Sequence, residues 1–413
     1  MIRFEKIVLP NGLKVIVHKD AFTPIVAVNI LYDVGSRDED PERTGFAHLF
    51  EHLMFGGSEN IPKYDEPLER TGGENNAFTN SDITNYYLTL PKQNIETAFW
   101  LESDRMKGLA LTEKSLEVQR NVVVEEFKQS YLNQPYGDVY LLLKDMAYKV
   151  HPYRWDTIGK DISHIQNASM KDVKAFFKKF YRPDNAILVV AGDVDTDTIK
   201  KLSEKWFGPI PKGEQYKRNL PAEPPQKETR KLEVKREVPF DAIYKAYHCC
   251  ARTDKEFYAA DLLSDVLSNG RSSRLFRELV MNKKLFSELD AYITGDFDKG
   301  LFIFSGKLTK GVEIEKAEEA IIAETEKLCE FMPSDKELEK VQNKIESTKV
   351  FSEMNVLNKA MNLALAELLG DAELINTEID RYRAVTPGMI RQQAKEIFRE
   401  TNCSTLYYRA MTE

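Results

Sequence analysis

Cysteine is scarce in this chain. The four cysteines, Cys249, Cys250, Cys329 and Cys403, all fall in the second half, two of them as neighbours. They form no CxxC pair and no disulfide framework, which points to a reducing compartment. No apolar run approaches the roughly 20 residues that a membrane-spanning helix needs. With 30% charged residues, the composition argues against a membrane protein. The opening residues Met1 to Pro10 lack the apolar core of a secretory signal, and together with the cysteine usage they lead us to expect a cytoplasmic protein. Lysine and arginine are not in excess. The formal net charge is −8, whereas a nucleic-acid-binding surface announces itself as clustered basic residues; mild acidity favours basic substrates only slightly. A phosphate-binding glycine loop is also missing.

What is present suits two packed cores. The chain has 413 residues, 42% of them hydrophobic and 10% aromatic, and cores of ordinary size hold about 200 residues each. Strand-like runs over 6–9 and 13–17 flank Pro10-Asn11-Gly12 and read as a hairpin with Asn-Gly at its tip. A strand over 25–32 follows, then a helix from Thr44 to the glycine stop Gly56-Gly57. A strand over 84–90 precedes helical patterns at 92–109 and 113–131, a helix over 173–180 and a buried strand over 186–191. From Pro209 to Lys227 there are five prolines in 19 residues. Little apolar periodicity accompanies them, so this stretch reads as an exposed linker.

The second half repeats the order of the first. Strands near 231–238 and 242–250 precede a helix over 256–269, and a strand pair over 289–295 and 299–307 takes the place of the strand at 84–90. Helices at 311–332 and 335–352, then a helix over 389–398 and a strand over 403–409, complete the parallel. The expected architecture is α+β: two similar layered domains related by internal duplication, each a mainly antiparallel sheet covered by helices on one face. The expected division is 1–212, a linker 213–227, and 228–413.

One string carries chemistry: Thr44-Gly-Phe-Ala-His48-Leu-Phe-Glu51-His52-Leu-Met-Phe-Gly-Gly57. His48 and His52 are four apart, so on a helix they project from one face a turn apart. That spacing lets two imidazoles grip one zinc ion, with Glu51 close enough to hold a water at the metal. Phe46, Leu49, Phe50, Leu53 and Met54 cover the other faces, so the helix is expected to be buried, where unpaired polar groups cost several kcal/mol. A zinc enzyme uses three protein ligands and leaves one position for water, and the region 116–127, ending in Glu125-Glu126, is the best source of the third. The bland reading is a satisfied histidine pair beside a solvated glutamate. The apolar faces, the glycine stop and the later double glutamate all weigh against it. The order H-x-x-E-H is that of the inverted zincins.

These residues sit among longer strings that resemble the pitrilysin family of zinc metallopeptidases, which includes insulin-degrading enzyme and the mitochondrial processing peptidase. The matching strings are Leu9-Pro-Asn-Gly-Leu-Lys-Val, Gly35-Ser-Arg-Asp-Glu, the zinc string itself, Gly73-Glu-Asn-Asn-Ala-Phe-Thr-Asn-Ser-Asp-Ile-Thr-Asn-Tyr-Tyr, His151-Pro-Tyr, and Tyr181-Arg-Pro-Asp-Asn through Gly192-Asp. The resemblance implies a Zn²⁺ cofactor held by His48, His52 and Glu126, with Glu51 as general base. Glu125, about 100° away on the same helix, is the competing ligand. It also implies that Asn76, Ala77, Phe78 and Thr79 form an exposed edge strand to which a substrate peptide adds; the bland reading there is an ordinary internal strand.

Two departures matter. The family's acidic residue seven before the third ligand falls on Gln119, a neutral amide. An Arg and a Tyr that active members carry in the second domain fall on Val280 and Ser287, and an oxyanion donor of that kind is worth 10²–10³ in rate. The leading expectation is therefore a zinc endopeptidase cleaving peptides or unfolded polypeptide, acting as the zinc-bearing subunit of a heterodimer with a paralogue that supplies the Arg/Tyr pair, or as a homodimer. The alternative is a non-catalytic scaffold that keeps the fold. His248-Cys249-Cys250 tempts as a metal site, but neighbouring residues on a strand point to opposite faces, so the two sulfurs are expected not to share an ion. His151 and His164 read as capping or packing residues.

Overall fold

The computed structural model describes residues 1–214 and 216–411. Alternating apolar residues place eleven strands in two sheets. The first sheet holds β1 (Glu5–Val8), β2 (Lys14–Lys19), β3 (Ile25–Tyr32), β4 (Glu74–Thr79), β5 (Thr84–Pro91) and β6 (Ala186–Gly192), in the spatial order β1-β2-β6-β3-β5-β4. The second holds β7 (Arg230–Arg236), β8 (Ala242–His248), β9 (Phe286–Ile293), β10 (Leu301–Leu308) and β11 (Cys403–Ala410), in the order β7-β11-β8-β10-β9. Apart from β1, the second order is the first repeated strand for strand. The repeat extends to direction, because β2 with β6 and β7 with β11 are parallel while the other pairs are antiparallel. The fold is thus α+β and duplicated, as the order of predicted elements implied. No described helix is long and apolar enough to cross a membrane.

Sequence reasoning missed how the sheets are covered. Ile243 and Tyr247 of β8 and Phe302 and Phe304 of β10 join one apolar cluster with the helix Phe257–Ser268. The alternating residues Ala242, Tyr244, Ala246, Leu301 and Ile303 join another with Val139, Leu143 and Ala147. Side chains alternate between faces, so the second sheet is buried on both. The helix on its far face, Val139–Ala147, comes from the first half of the sequence. In the first sheet, β3 and β6 are buried along nearly their whole length, the pattern of strands covered on both sides. Their second cover is Val356–Leu368, from the second half. Lys6 and Lys14 reach Glu367 of that helix at 2.6 and 3.1 Å, and Asp20 pairs with Lys359 at 2.6 Å.

The compact units are accordingly discontinuous. One comprises 1–129, 155–220 and 349–377; the other comprises 130–154, 221–348 and 378–413. One crossing, at 220/221, falls inside the expected linker 213–227, but the exchange of 130–154 and 349–377 makes both units discontinuous, and the expectation of one covered face is corrected to two. A helix that packs on a distant sheet has no local signal distinguishing it from one that packs on its own. The linker is also less free than its prolines suggest. Arg218 donates to both Asp33 and Asp38 in the first unit, and Gln226, 5% exposed, donates to Cys403 O at 2.8 Å in the second.

Leu363 sits in the exchanged helix at 0% exposure. Leu363→Ala is expected to lower the unfolding free energy by about 2–5 kcal/mol in urea titrations of the intact chain; an unshifted midpoint would show that this helix is not part of the core.

Candidate metal centre

The helix Phe46–Leu53 is only eight residues long, too short to persist by its own hydrogen bonds. Packing and capping hold it. Phe46, Leu49, Phe50 and Leu53 are buried, and the Phe50 ring stacks on Phe176 at 5.0 Å and Tyr181 at 5.2 Å. The chain enters the helix through Gly45 at φ 88°, a left-handed turn where a Cβ would also lie 2.8 Å from Ile158 O. It leaves through Gly57 at φ 98°. At the N-terminus, the buried Glu39 carboxylate accepts from Gly45 N at 2.9 Å and Ala47 N at 2.8 Å, and from Trp155 Nε1 at 3.0 Å. Burial pushes the Glu39 carboxyl up to about 8 while these three donors pull it back. Behind the helix lies Arg105, 1% exposed, which pairs with Glu102 at 2.7 Å and sits over the Tyr86 ring at 4.4 Å; the Tyr86 hydroxyl in turn reaches Phe50 O at 3.4 Å.

The third side chain arrives on Glu113–Phe127. Thr112 caps this helix by accepting from Ser115 N at 3.0 Å. Leu116, Val123 and Phe127 bury one stripe, which aims the neighbouring Glu126 at the histidines. After Phe127 the backbone continues as a π-turn over Lys128–Leu132 rather than the α-helix expected to 131. Glu125 points elsewhere, exposed and paired with Lys128 at 2.6 Å. Between the two glutamates, the structure brings Glu126 to the histidines.

His48 Nε2 and His52 Nε2 lie 3.3 Å apart, and Glu126 Oε2 is 3.7 Å from the first and 3.5 Å from the second. A tetrahedral ion with ligand bonds of 2.0–2.1 Å holds its ligand atoms about 3.3–3.4 Å apart. The observed triangle therefore contains a point about 2 Å from each corner, and the three atoms form the only His/Cys/Asp/Glu group of this kind among the described residues. One ring N–H cannot serve both the second imidazole nitrogen and the carboxylate at full strength, whereas a cation satisfies all three ligand atoms together. Burial pushes the His48 imidazole below its ordinary value, and the hydrogen bond from His52 holds the Glu126 carboxyl below its own. Neutral imidazole and ionised carboxylate are the forms that bind metal. The residues present fit a zinc ion. Glu51, on the same helix and half-buried, is close enough for its charge to act on His48. One support is thin: His48 Nδ1 is buried with no hydrogen-bond partner among the described residues, where metal-bound histidines usually donate to a carboxylate or carbonyl.

Comparison with known proteins agrees with this geometry. Residues 14–159 match the family model described as insulinase, peptidase family M16, and residues 167–345 match the peptidase M16 inactive domain. The chain is 34% identical over 346 residues to the zinc protease PqqE of Helicobacter pylori, covering 82% of this chain and 78% of that one. The chain belongs to peptidase family M16. The M16 chain is also 31% identical over 209 residues to the beta subunit of the mitochondrial-processing peptidase of Saccharomyces cerevisiae, covering 50% and 45% of the two. A crystal structure of a protease from Helicobacter pylori superposes with a TM-score of 0.93 at 29% identity, covering 99% of this chain and 100% of that one. The fold alone is shared with a peptidase M16 inactive-domain structure from Pseudomonas fluorescens, at a TM-score of 0.90 and 16% identity with coverage of 100% and 99%.

The remaining sequence-predicted residues of this M16 chain fall as follows. Asn76, Ala77, Phe78 and Thr79 lie in β4, which is the edge of its sheet and pairs only with β5. The metal helix packs beside it, and Ala77 N donates to Asn76 Oδ1 at 2.8 Å. Val280, in the second unit, is half-buried against the apolar core, and the exposed Ser287 donates to Lys307 O at 3.2 Å. His164 accepts from Thr44 N at 3.2 Å, next to the metal helix, while His151 is buried within the second unit. Glu39 and the Glu102–Arg105 pair were missed as supports of the site. Glu39 closes the string Gly35-Ser-Arg-Asp-Glu, but a charged residue gives no local sign of burial.

Two outcomes follow for zinc titrations of the purified chain. Glu126→Gln is expected to weaken zinc binding by more than about 100-fold, while Glu125→Gln leaves it within about twofold. Glu39→Ala, which strands two buried amides, is expected to cost about 1–3 kcal/mol of stability in urea unfolding.

Proposed function

We propose that this chain is a zinc-dependent endopeptidase cleaving peptides or unfolded segments. The convergence of His48, His52 and Glu126 on one point, with Glu51 beside it, is the observation that supports this reading most. A zinc ion held by His48, His52 and Glu126 would supply Lewis-acid chemistry for activating water and polarising the scissile carbonyl. The protein's own part is to orient and to move protons. The two imidazoles and the Glu126 carboxylate fix the position of the ion, while the rigid helix keeps Glu51 within reach of the same space. Glu51 takes the proton of the attacking water as general base and returns it to the leaving amine. The open edge of β4 offers backbone groups to an extended substrate, which would add as a further strand beside the metal helix.

The chain is further proposed to act as the zinc-bearing subunit of a heterodimer. Val280 and Ser287 stand where active relatives would be expected to carry Arg and Tyr, so the groups that steady the developing oxyanion are expected from a paralogous partner. A scaffold without activity is the second reading, favoured by the same two residues.

Metal content and turnover separate these readings. Glu51→Gln is expected to retain about one zinc per chain and to lose cleavage of an unstructured peptide by at least 10²-fold, whereas His52→Ala loses the metal. A metal-free wild-type chain overturns the enzyme reading, and full turnover by the chain alone overturns the heterodimer.

A further inference from the structure

The pair Cys249–Cys250 belongs to the second unit. β8 ends at His248, one residue before the pair. Cys249 N still donates to Gly300 O at 2.8 Å, but the chain then turns, with Asp254 Oδ2 accepting from Ala251 N at 2.9 Å. Strand alternation no longer separates the two side chains, and their Sγ atoms lie 3.7 Å apart. The expectation that the two side chains point to opposite faces assumed that the strand continued to residue 250, and it ends at His248. Cys249 is 7% exposed against the apolar core and Cys250 is half-buried. Both line a cavity of about 280 Å³ together with the carboxylates of Asp254, Glu256 and Glu396.

We propose that Cys249 and Cys250 form a chelating dithiol that binds a trivalent, pyramidal thiophilic centre of the arsenite type. The separation rules against a linear centre, and the shortage of further ligands rules against a tetrahedral one. With bonds of about 2.3 Å, the length of a zinc–thiolate bond, sulfurs 3.7 Å apart subtend about 107° at a shared atom. A linear two-coordinate ion would need them about 4.6 Å apart on the same bond length. A resident zinc ion would require further protein ligands, and the only three-ligand group among the described residues is at the first-unit site. A disulfide is disfavoured as well, because consecutive Cα atoms are about 3.8 Å apart, below the usual 4.4–6.8 Å of a bridged pair. A pyramidal centre makes two bonds to the pair and turns its third substituent into the cavity.

The chemistry balances without an oxidant. An organoarsenic(III) oxide condenses with both thiols, two As–S bonds replace the As=O bond, and the oxygen leaves as water with the two thiol protons. The Cys250 contact and burial hold the Cys249 thiol well above its ordinary pKa, so Cys249 enters the condensation as the thiol whose proton leaves with the water.

Phenylarsine oxide is the probe, used on the intact chain in excess 2-mercaptoethanol with native mass spectrometry as the readout. One adduct per chain is expected, mapped by digestion to residues 249 and 250 and released by dithiothreitol. Cys250→Ser, with its fold checked by circular dichroism, is expected to weaken capture by at least about 100-fold, since one sulfur loses the chelate advantage. The Cys329→Ser/Cys403→Ser double variant is expected to bind as wild type. The proposal is overturned by absence of the adduct in wild type, by its survival in Cys250→Ser, by its mapping elsewhere, or by conversion of the pair to a disulfide by an alkyl disulfide under conditions where the arsenical is not retained.

Discussion

Everything at the metal centre depends on how an eight-residue helix is held still. An isolated helix of this length does not persist in water, yet two of its side chains must keep their ring nitrogens 3.3 Å apart. The constraint is met from outside. Buried apolar residues anchor it, stacked rings from Phe176 and Tyr181 fix its roll, and Glu39 closes the first-turn amides that would otherwise be orphaned. The imidazoles then have little freedom left, so the protein's own packing sets the geometry of the triangle they form with Glu126.

The same economy explains the buried charge behind the helix. Arg105 is nearly inaccessible, but its guanidinium is paired with Glu102 and faces the rings of Tyr86 and Tyr64. A charge so placed is tolerated only when its partners are fixed, and fixing them also fixes Tyr86 against the backbone of the metal helix. Stability and site geometry here rest on the same contacts.

Duplication and exchange work together in the larger fold. Each sheet needs a second cover for its buried strands, and each receives it from the half of the chain that forms the other sheet: Val139–Ala147 in one case, Val356–Leu368 in the other. Neither unit is complete without a segment from the opposite half. The break near 209–227 therefore holds one of five crossings between the compact units, at 220/221, and the other four lie where the sequence shows no change of texture.

Much of this was legible in the residues alone. The strand order, many of the helices, the internal repeat and the spacing of His48, Glu51 and His52 are local properties, because helical and strand periods write themselves into the pattern of apolar and polar residues. The covering helices Val139–Ala147 and Val356–Leu368 were not among the predicted elements. The candidate third ligand could be narrowed to two neighbouring glutamates by that pattern, with the family resemblance favouring Glu126. Tertiary structure alone placed Glu126 with the histidines, turned Glu125 to Lys128, buried Glu39 under the helix start, exchanged the two covering helices and ended β8 one residue before Cys249. Apart from the Glu125–Lys128 pair, whose members are only three residues from each other, these are relations that depend on where other segments pack, or points where the backbone departs from its period, and neither kind of fact is encoded in local spacing.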